Sequence, residues 1–182
     1  EIRAYREAGL LEGAWENGTL ELLDAPAVSD PAVSEQWYLD ALGIADAWAA
    51  GYDGNGVKVA VIDSGINPEH EDLNYDRISA WSVLEEDGGS AADTLGHGTL
   101  VAGILAAETD NNKGIAGLTD GVSLLMIRCF TGKTGKLDDM LEAIGYAIEQ
   151  DVDVINMSVG GTGADAKAME PLLQKAAEAG VL

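Results

Sequence analysis

Val57-Lys58-Val59-Ala60-Val61-Ile62-Asp63-Ser64-Gly65 decides how this chain folds. Apolar residues fill nearly every position from Val57 to Ile62, where a half-exposed strand would alternate. Such a run predicts a strand covered on both faces, the signature of a parallel sheet between helices. The run breaks abruptly at an acid, a hydroxyl and a glycine. A carboxylate at the tip of a buried strand is rigidly held and partly desolvated, so Asp63 is a candidate functional group; an aspartate capping a turn is the plain alternative.

The same grammar continues downstream. Leu100–Ala107 predicts a helix with Leu100, Val101, Ile104 and Leu105 sharing one face and Gly103 permitting close packing, and Val122–Phe130 a second buried strand. Leu137–Gln150 predicts a helix with Met140, Leu141, Ile144 and Ile148 inward, and Val152–Met157 a third strand. Ala164–Ala179 predicts a last helix stopped by Gly180, which Pro171 starts late or kinks. A further strand is expected to begin at Val181-Leu182. Upstream, a helix around Ile44–Ala50 ends at Gly51, and Asp24–Pro31 reads as a linker. Residues 1–28 read as a helix end, a glycine turn and the strand-like Thr19–Leu23. The expected fold is α/β, a partial doubly wound parallel sheet with helices on both faces. In such sheets chemistry collects beyond the carboxyl ends of the strands.

The 182 residues suit about one domain and are 47% hydrophobic, with a formal charge of −22. That charge repels phosphate backbones and anionic lipid, which argues against a nucleic-acid partner. No apolar stretch reaches the ~20 residues that cross a membrane. The single cysteine, Cys129, sits in an apolar run and reads as a small buried hydrophobe. His70 and His97 share no metal-ligand spacing, so a zinc site is not expected. The first strand lacks the glycine-rich turn of a dinucleotide-binding unit.

Two further segments carry chemistry. Gly96-His97-Gly98-Thr99-Leu100-Val101-Ala102-Gly103 brings a histidine through a glycine-rich loop into a helix. Asn156-Met157-Ser158-Val159-Gly160-Gly161 leaves the third strand for a loop whose bare backbone suits pairing with an extended peptide. Taken singly, each also fits an ordinary structural hydrogen bond or strand exit. Together with Val-Ile-Asp63-Ser-Gly, in this order, they resemble the subtilase family of serine peptidases, from about Gln36 to Leu182. Leu100 departs from the second histidine that many members carry there.

The resemblance implies a serine endopeptidase with an Asp–His–Ser triad, built on the N-terminal half of a subtilisin-like fold. Asp63 and His97 match the catalytic acid and base, while the nucleophilic serine and the oxyanion asparagine are expected after Leu182. Residues 29–182 then form a peptidase half-domain truncated before the nucleophile, and the fragment alone is expected to be inactive. A non-catalytic binding module or pseudo-peptidase is the alternative. By resemblance a peptide lies between Lys133, Thr134, Gly135 and Ser158, Val159, Gly160. Lys133 and Lys136 either favour acidic substrates or sit in a solvated loop. Asp72 with Thr109, Asn111, Lys113 and Ile115 resembles the family's structural calcium loop; a polar turn without metal is the other reading, and Gln36 does not match the family's glutamine ligand. Residues 1–28 resemble the tail of a propeptide, making the chain zymogen sequence. Expected partners are a polypeptide substrate, the chain's own propeptide and the C-terminal half of the domain, with self-association of the fragment. Location is expected to be secreted or cell-surface.

Overall fold

The structure, a computed structural model, describes residues 28–84, 89–161 and 163–182. The propeptide reading of residues 1–28 therefore falls, except at Val28, outside the described residues.

The buried run forms β1, Lys58–Asp63, with Asp63 as its last residue. It pairs in parallel with β3, Ser123–Arg128, and on its other side with β4, Val154–Asn156. A fourth strand, β2 (Ile78–Ser82), pairs in parallel with β3 and completes the order β2-β3-β1-β4. This strand is absent from the sequence reading. As an edge strand it keeps a mixed sequence, Ile-Ser-Ala-Trp-Ser, with only Ser82 fully buried, so it lacks the apolar run that marks its neighbours. The strand expected at Val181-Leu182 is foreshadowed: Leu182 donates to the carbonyl of Asp153 and accepts from the N–H of Ile155, as a parallel neighbour of β4 would.

Alternation along β1 and β3 explains why both faces are apolar. Val59, Val61, Leu124 and Met126 face one layer; Ala60, Ile62, Leu125 and Ile127 face the other. Two short helices, α1 (Trp37–Ala41) and α2 (Ile44–Ala49), precede β1. Helix α3 (His97–Ala106) covers the first face, and α4 (Leu137–Glu149) with α5 (Gly163–Glu178) the second. Each fully buried Ile or Leu in these layers contributes about 1.5–3 kcal/mol of burial. Pro171 lies inside α5, which runs through it.

The four apolar residues read as one face of α3 are divided in the structure. Leu100 and Ile104 are exposed, at 69% and 44%, while Ala102 and Ala106 are buried against the sheet and Val101 and Leu105 pack beside them. Small residues bring this helix close to β1, and the bulky ones on its other side make it apolar all round. A helix of that kind reads equally well in either rotation, so the sequence pattern alone could not orient it.

Upstream, the Gln36 side-chain amide clips both main-chain groups of Ala116, its oxygen accepting the Ala116 N–H at 2.8 Å and its nitrogen donating to the Ala116 carbonyl at 2.7 Å. Trp48 Nε1 donates to the Leu118 carbonyl. The segment before β1 is thereby fastened to the loop that follows α3.

Candidate active site

Asp63 stands at the carboxyl end of β1, in the interior of the sheet, and His97 is the first residue of α3. The His97 Nδ1 atom lies 2.8 Å from Asp63 Oδ1 and 2.9 Å from Oδ2. A carboxylate only accepts, so Nδ1 carries the proton and donates it, which leaves Nε2 as the basic nitrogen. The carboxylate is buried, its side chain 4% exposed, whereas the ring is 56% exposed. Asp63 Oδ1 also accepts the N–H of Ser64 at 2.7 Å, and the Cys129 N–H donates to the Asp63 carbonyl. An anchored acid and an open base are thus brought together at a strand tip.

Gly65, beside the pair, is required by space. Gly65 has φ of 108°, and a side chain there would run into the carbonyl of Ala91. That close approach joins two segments: the N–H of Ile66 donates to the Ala91 carbonyl, and the N–H of Asp93 to the Ile66 carbonyl.

A cleft of about 610 Å³ opens beside the pair, and all six residues expected to hold substrate line it: Lys133, Thr134, Gly135, Ser158, Val159 and Gly160. Its apolar lining includes Phe130, Met140 and Met169. Gly135 packs directly on the Phe130 ring, where any Cβ would clash at 2.6 Å. Lys133 and Lys136 also line the cleft and are exposed. The lining contains two serines, Ser64 and Ser158. Ser64 Oγ donates to Asp93 Oδ1 at 2.9 Å and accepts the Gly98 N–H, so its hydroxyl is committed, while Ser158 Oγ accepts from Asn156 Nδ2 at 3.0 Å.

Cys129 lies just behind the pair, 2% exposed, with its thiol pushed up to about 12 by burial and by the negative charges of Asp63 and Asp139. It stays a protonated thiol. Asp93, which sequence reasoning missed, behaves oppositely. Burial acts to raise its carboxyl, but hydrogen bonds from the Thr99 hydroxyl and N–H and from the N–H groups of Leu95 and Gly96 outweigh it and hold the group at about 2. A folded value below the unfolded ~3.8–3.9 means these bonds stabilise the fold above that range and are lost as pH falls through about 2.

Of the residues expected to form a calcium loop, the structure joins Asp72 and Asn111: Asn111 Nδ2 donates to Asp72 Oδ1 at 2.8 Å. The N–H of Ile115 donates to Asp72 Oδ2, and the N–H of Lys113 to Asn111 Oδ1. The Thr109 N–H instead bonds Asp120. A second carboxylate, Asp30, also missed from sequence, accepts the N–H groups of Asp110 and Asn111. Asp30 and Asp72 are 2% and 3% exposed, and neither forms a salt bridge among the described residues. Two buried carboxylates sharing one loop, with an amide oxygen and main-chain carbonyls nearby, are the hard-oxygen chemistry that calcium takes. No cluster of three or more His, Cys, Asp or Glu side chains occurs among the described residues, so amide and carbonyl oxygens would complete any such set. The Gln36 side-chain oxygen accepts the Ala116 N–H, as Asn111 Oδ1 accepts that of Lys113.

An aspartate–histidine pair at the carboxyl end of a parallel sheet, beside a cleft with bare loop backbone, is the arrangement of the serine-peptidase class built on an α/β sheet. The subtilase family model matches residues 54–182, and the chain belongs to the subtilase family. It is 39% identical over 142 residues to the major intracellular serine protease of Bacillus subtilis, covering 75% of this chain and 44% of that protein. It is 37% identical over 153 residues to the minor extracellular protease Epr of the same organism, covering 81% of this chain and 22% of that protein. The fold is that of a solved protease from Pseudoalteromonas arctica, with a TM-score of 0.74 at 28% identity, over 85% of this chain and 57% of that one. The chain thus spans less than half the length of these curated relatives.

Proposed function

We propose that the intact protein is a serine endopeptidase in which His97 is the general base and Asp63 its anchor. The observation that carries this reading is the short contact of His97 Nδ1 with both oxygens of a buried carboxylate at the mouth of the cleft. A serine hydroxyl is a poor nucleophile until a base takes its proton during attack. His97 Nε2 accepts that proton and returns it to the leaving amine. Asp63 fixes the tautomer and stabilises the imidazolium. A pure binding module has no need of such a pair.

The nucleophile is supplied from beyond Leu182, together with the oxyanion asparagine. Support comes from the cleft itself, where Ser64 spends its hydroxyl on Asp93 and Gly98 and where neither Ser64 nor Ser158 bonds the His97 ring. The intact protein is expected to hydrolyse casein and to lose this activity to a serine-directed phosphonate, while the 182-residue chain alone releases no peptides. Casein hydrolysis by the isolated chain would overturn the assignment of the nucleophile.

The substrate is an extended polypeptide lying between residues 133–135 and 158–160, with Val159 lining the pocket before the scissile bond. Residues 1–28 act as the propeptide tail of a zymogen. The C-terminal half of the domain packs on the apolar outer side of α3, where Leu100 and Ile104 stand exposed; without it these side chains favour self-association. Kinship with the extracellular Epr supports a secreted or cell-surface location, and the intracellular relative is the competing case.

Calcium is held by Asp72, Asn111 Oδ1 and loop carbonyls at Thr109, Lys113 and Ile115, beside Asp30, and its contribution is structural. A cation at 100 times its dissociation constant stabilises by about 2.7 kcal/mol. Chelation is therefore expected to lower the melting temperature by several degrees, reversed by added calcium and abolished in Asp72→Asn. An unchanged melting temperature on chelation would remove the metal from this account.

A further inference from the structure

One carboxylate outside the pair touches every segment that carries it. Asp93 Oδ1 accepts from Ser64 Oγ at 2.9 Å and from the N–H groups of Leu95 and Gly96 at 2.9 and 2.8 Å. Asp93 Oδ2 accepts from the Thr99 N–H at 3.0 Å and the Thr99 hydroxyl at 2.6 Å. The chain of bonds continues on both sides. Ser64 Oγ accepts the Gly98 N–H at 2.9 Å, and the Ser64 N–H reaches Asp63 Oδ1 at 2.7 Å. Thr99 Oγ1 accepts the N–H of Asn67 at 2.9 Å. Asp93 thereby bonds main-chain or side-chain groups immediately before His97 and two residues after it, and through Ser64 it reaches the residue next to Asp63.

The His97 ring is more than half exposed, so packing does not wedge it in place. What aims it is the position of its own backbone relative to the tip of β1, and that relation is set by the loop Asp93–Thr99 and the turn Asp63–Asn67. Charge-assisted bonds to an anionic acceptor are roughly twice as strong as neutral ones, which makes a carboxylate a better clamp here than an amide. An asparagine at this position would turn an NH₂ toward N–H and O–H donors and leave some of them unpaired.

We propose that Asp93 is a positioning residue for the peptidase reaction, holding His97 Nδ1 on Asp63 through Ser64 and the main chain of residues 95–99. The inference rests on the peptidase reading, and it adds a group that touches neither substrate nor nucleophile. Its expected mark is a defect chiefly in turnover, because Asp93 touches the cleft lining only through Ser64 and the main chain of Leu95, and the peptide-holding segments 133–135 and 158–160 are not among its partners.

The test uses the intact, serine-bearing protein and a peptide anilide substrate, with rates normalised to active sites by phosphonate titration. Asp93→Asn is expected to lower kcat by about 10- to 100-fold, the cost of a displaced catalytic group. KM is expected to stay within about twofold, as when only transition-state stabilisation is lost. Ser64→Ala is expected to lower kcat in the same way, and the double variant to lose clearly less than the product of the two single losses, since both cut one path. In both single variants the low-field proton resonance of His97 Nδ1 should broaden or vanish. A raised KM at unchanged kcat, fully multiplicative losses, or an unaltered low-field proton would overturn the proposal. Should Asp93→Asn fail to fold, Ser64→Ala decides on the same readouts. Should the wild-type protein hydrolyse no peptide, the peptidase reading falls, while the response of the Nδ1 proton still decides whether Asp93 positions the ring.

Discussion

Asp63→Asn is expected to lower kcat/KM of the intact protein by about 10⁴-fold, the scale found for triad aspartates elsewhere. The geometry explains why a near-isosteric change is so costly. Both carboxylate oxygens lie within 2.9 Å of His97 Nδ1, and Oδ1 also accepts the Ser64 N–H. An asparagine must present its NH₂ to one of these donors or rotate its oxygen away from the other. Turning NH₂ toward the ring makes Nδ1 an acceptor, which moves the ring proton to Nε2 and removes the base. The charge that would stabilise the imidazolium is lost at the same time. Steady-state kinetics on a peptide anilide measures the effect, and a loss under tenfold would mean that the pair is structural.

Gly98→Ala is the second large expectation, and it acts through space. A Cβ at Gly98 would stand 2.3 Å from the Gly65 carbonyl oxygen and 3.2 Å from Asp63 Cβ. The obstacle is backbone, so no side-chain rotation relieves it; either α3 lifts from the tip of β1 or the Ser64–Gly65 turn distorts. Overpacking of this kind costs about 3 kcal/mol, at the upper end of the usual range. In a domain of this size or larger that lowers the melting temperature by about 6–12 °C. Moving the helix start by even 1 Å displaces His97 and costs about 100-fold in turnover. Thermal denaturation read beside kcat separates the two effects. Wild-type values for both would show that the approach of α3 to β1 is looser than described.

The legible part of the fold is the part with an unbroken apolar period. β1, β3, β4 and the helices that cover them follow from runs such as Val57–Ile62 and the spacing of Met140, Ile144 and Ile148. β2 escaped because an edge strand does not need such a run, and the rotation of α3 escaped because Leu100 and Ile104 make its outer side as apolar as its inner one. Asp63 and His97 were singled out because one ends a buried strand and the other opens a helix, in segments that together resemble the subtilase motifs. Asp93 and Asp30 carry no such mark. Each is one acid in a polar loop, and its importance lies in N–H donors that only the folded backbone gathers; the spacing Asp93-x-x-x-His97-x-Thr99 was the available signal. Of the proposed calcium loop, Asp72 and Asn111 were legible because they are side chains, whereas main-chain oxygens leave no mark in a sequence.

The hydrogen bond between positions 63 and 97 can be observed directly. Proton spectra of the intact protein, recorded from mildly acidic to neutral pH, are predicted to contain a single strongly low-field resonance that ¹⁵N labelling assigns to His97 Nδ1 and that disappears in Asp63→Asn. A spectrum in which the protonated ring nitrogen of His97 is Nε2, or in which the Nδ1 proton resonates unchanged after Asp63→Asn, would contradict the account at its root.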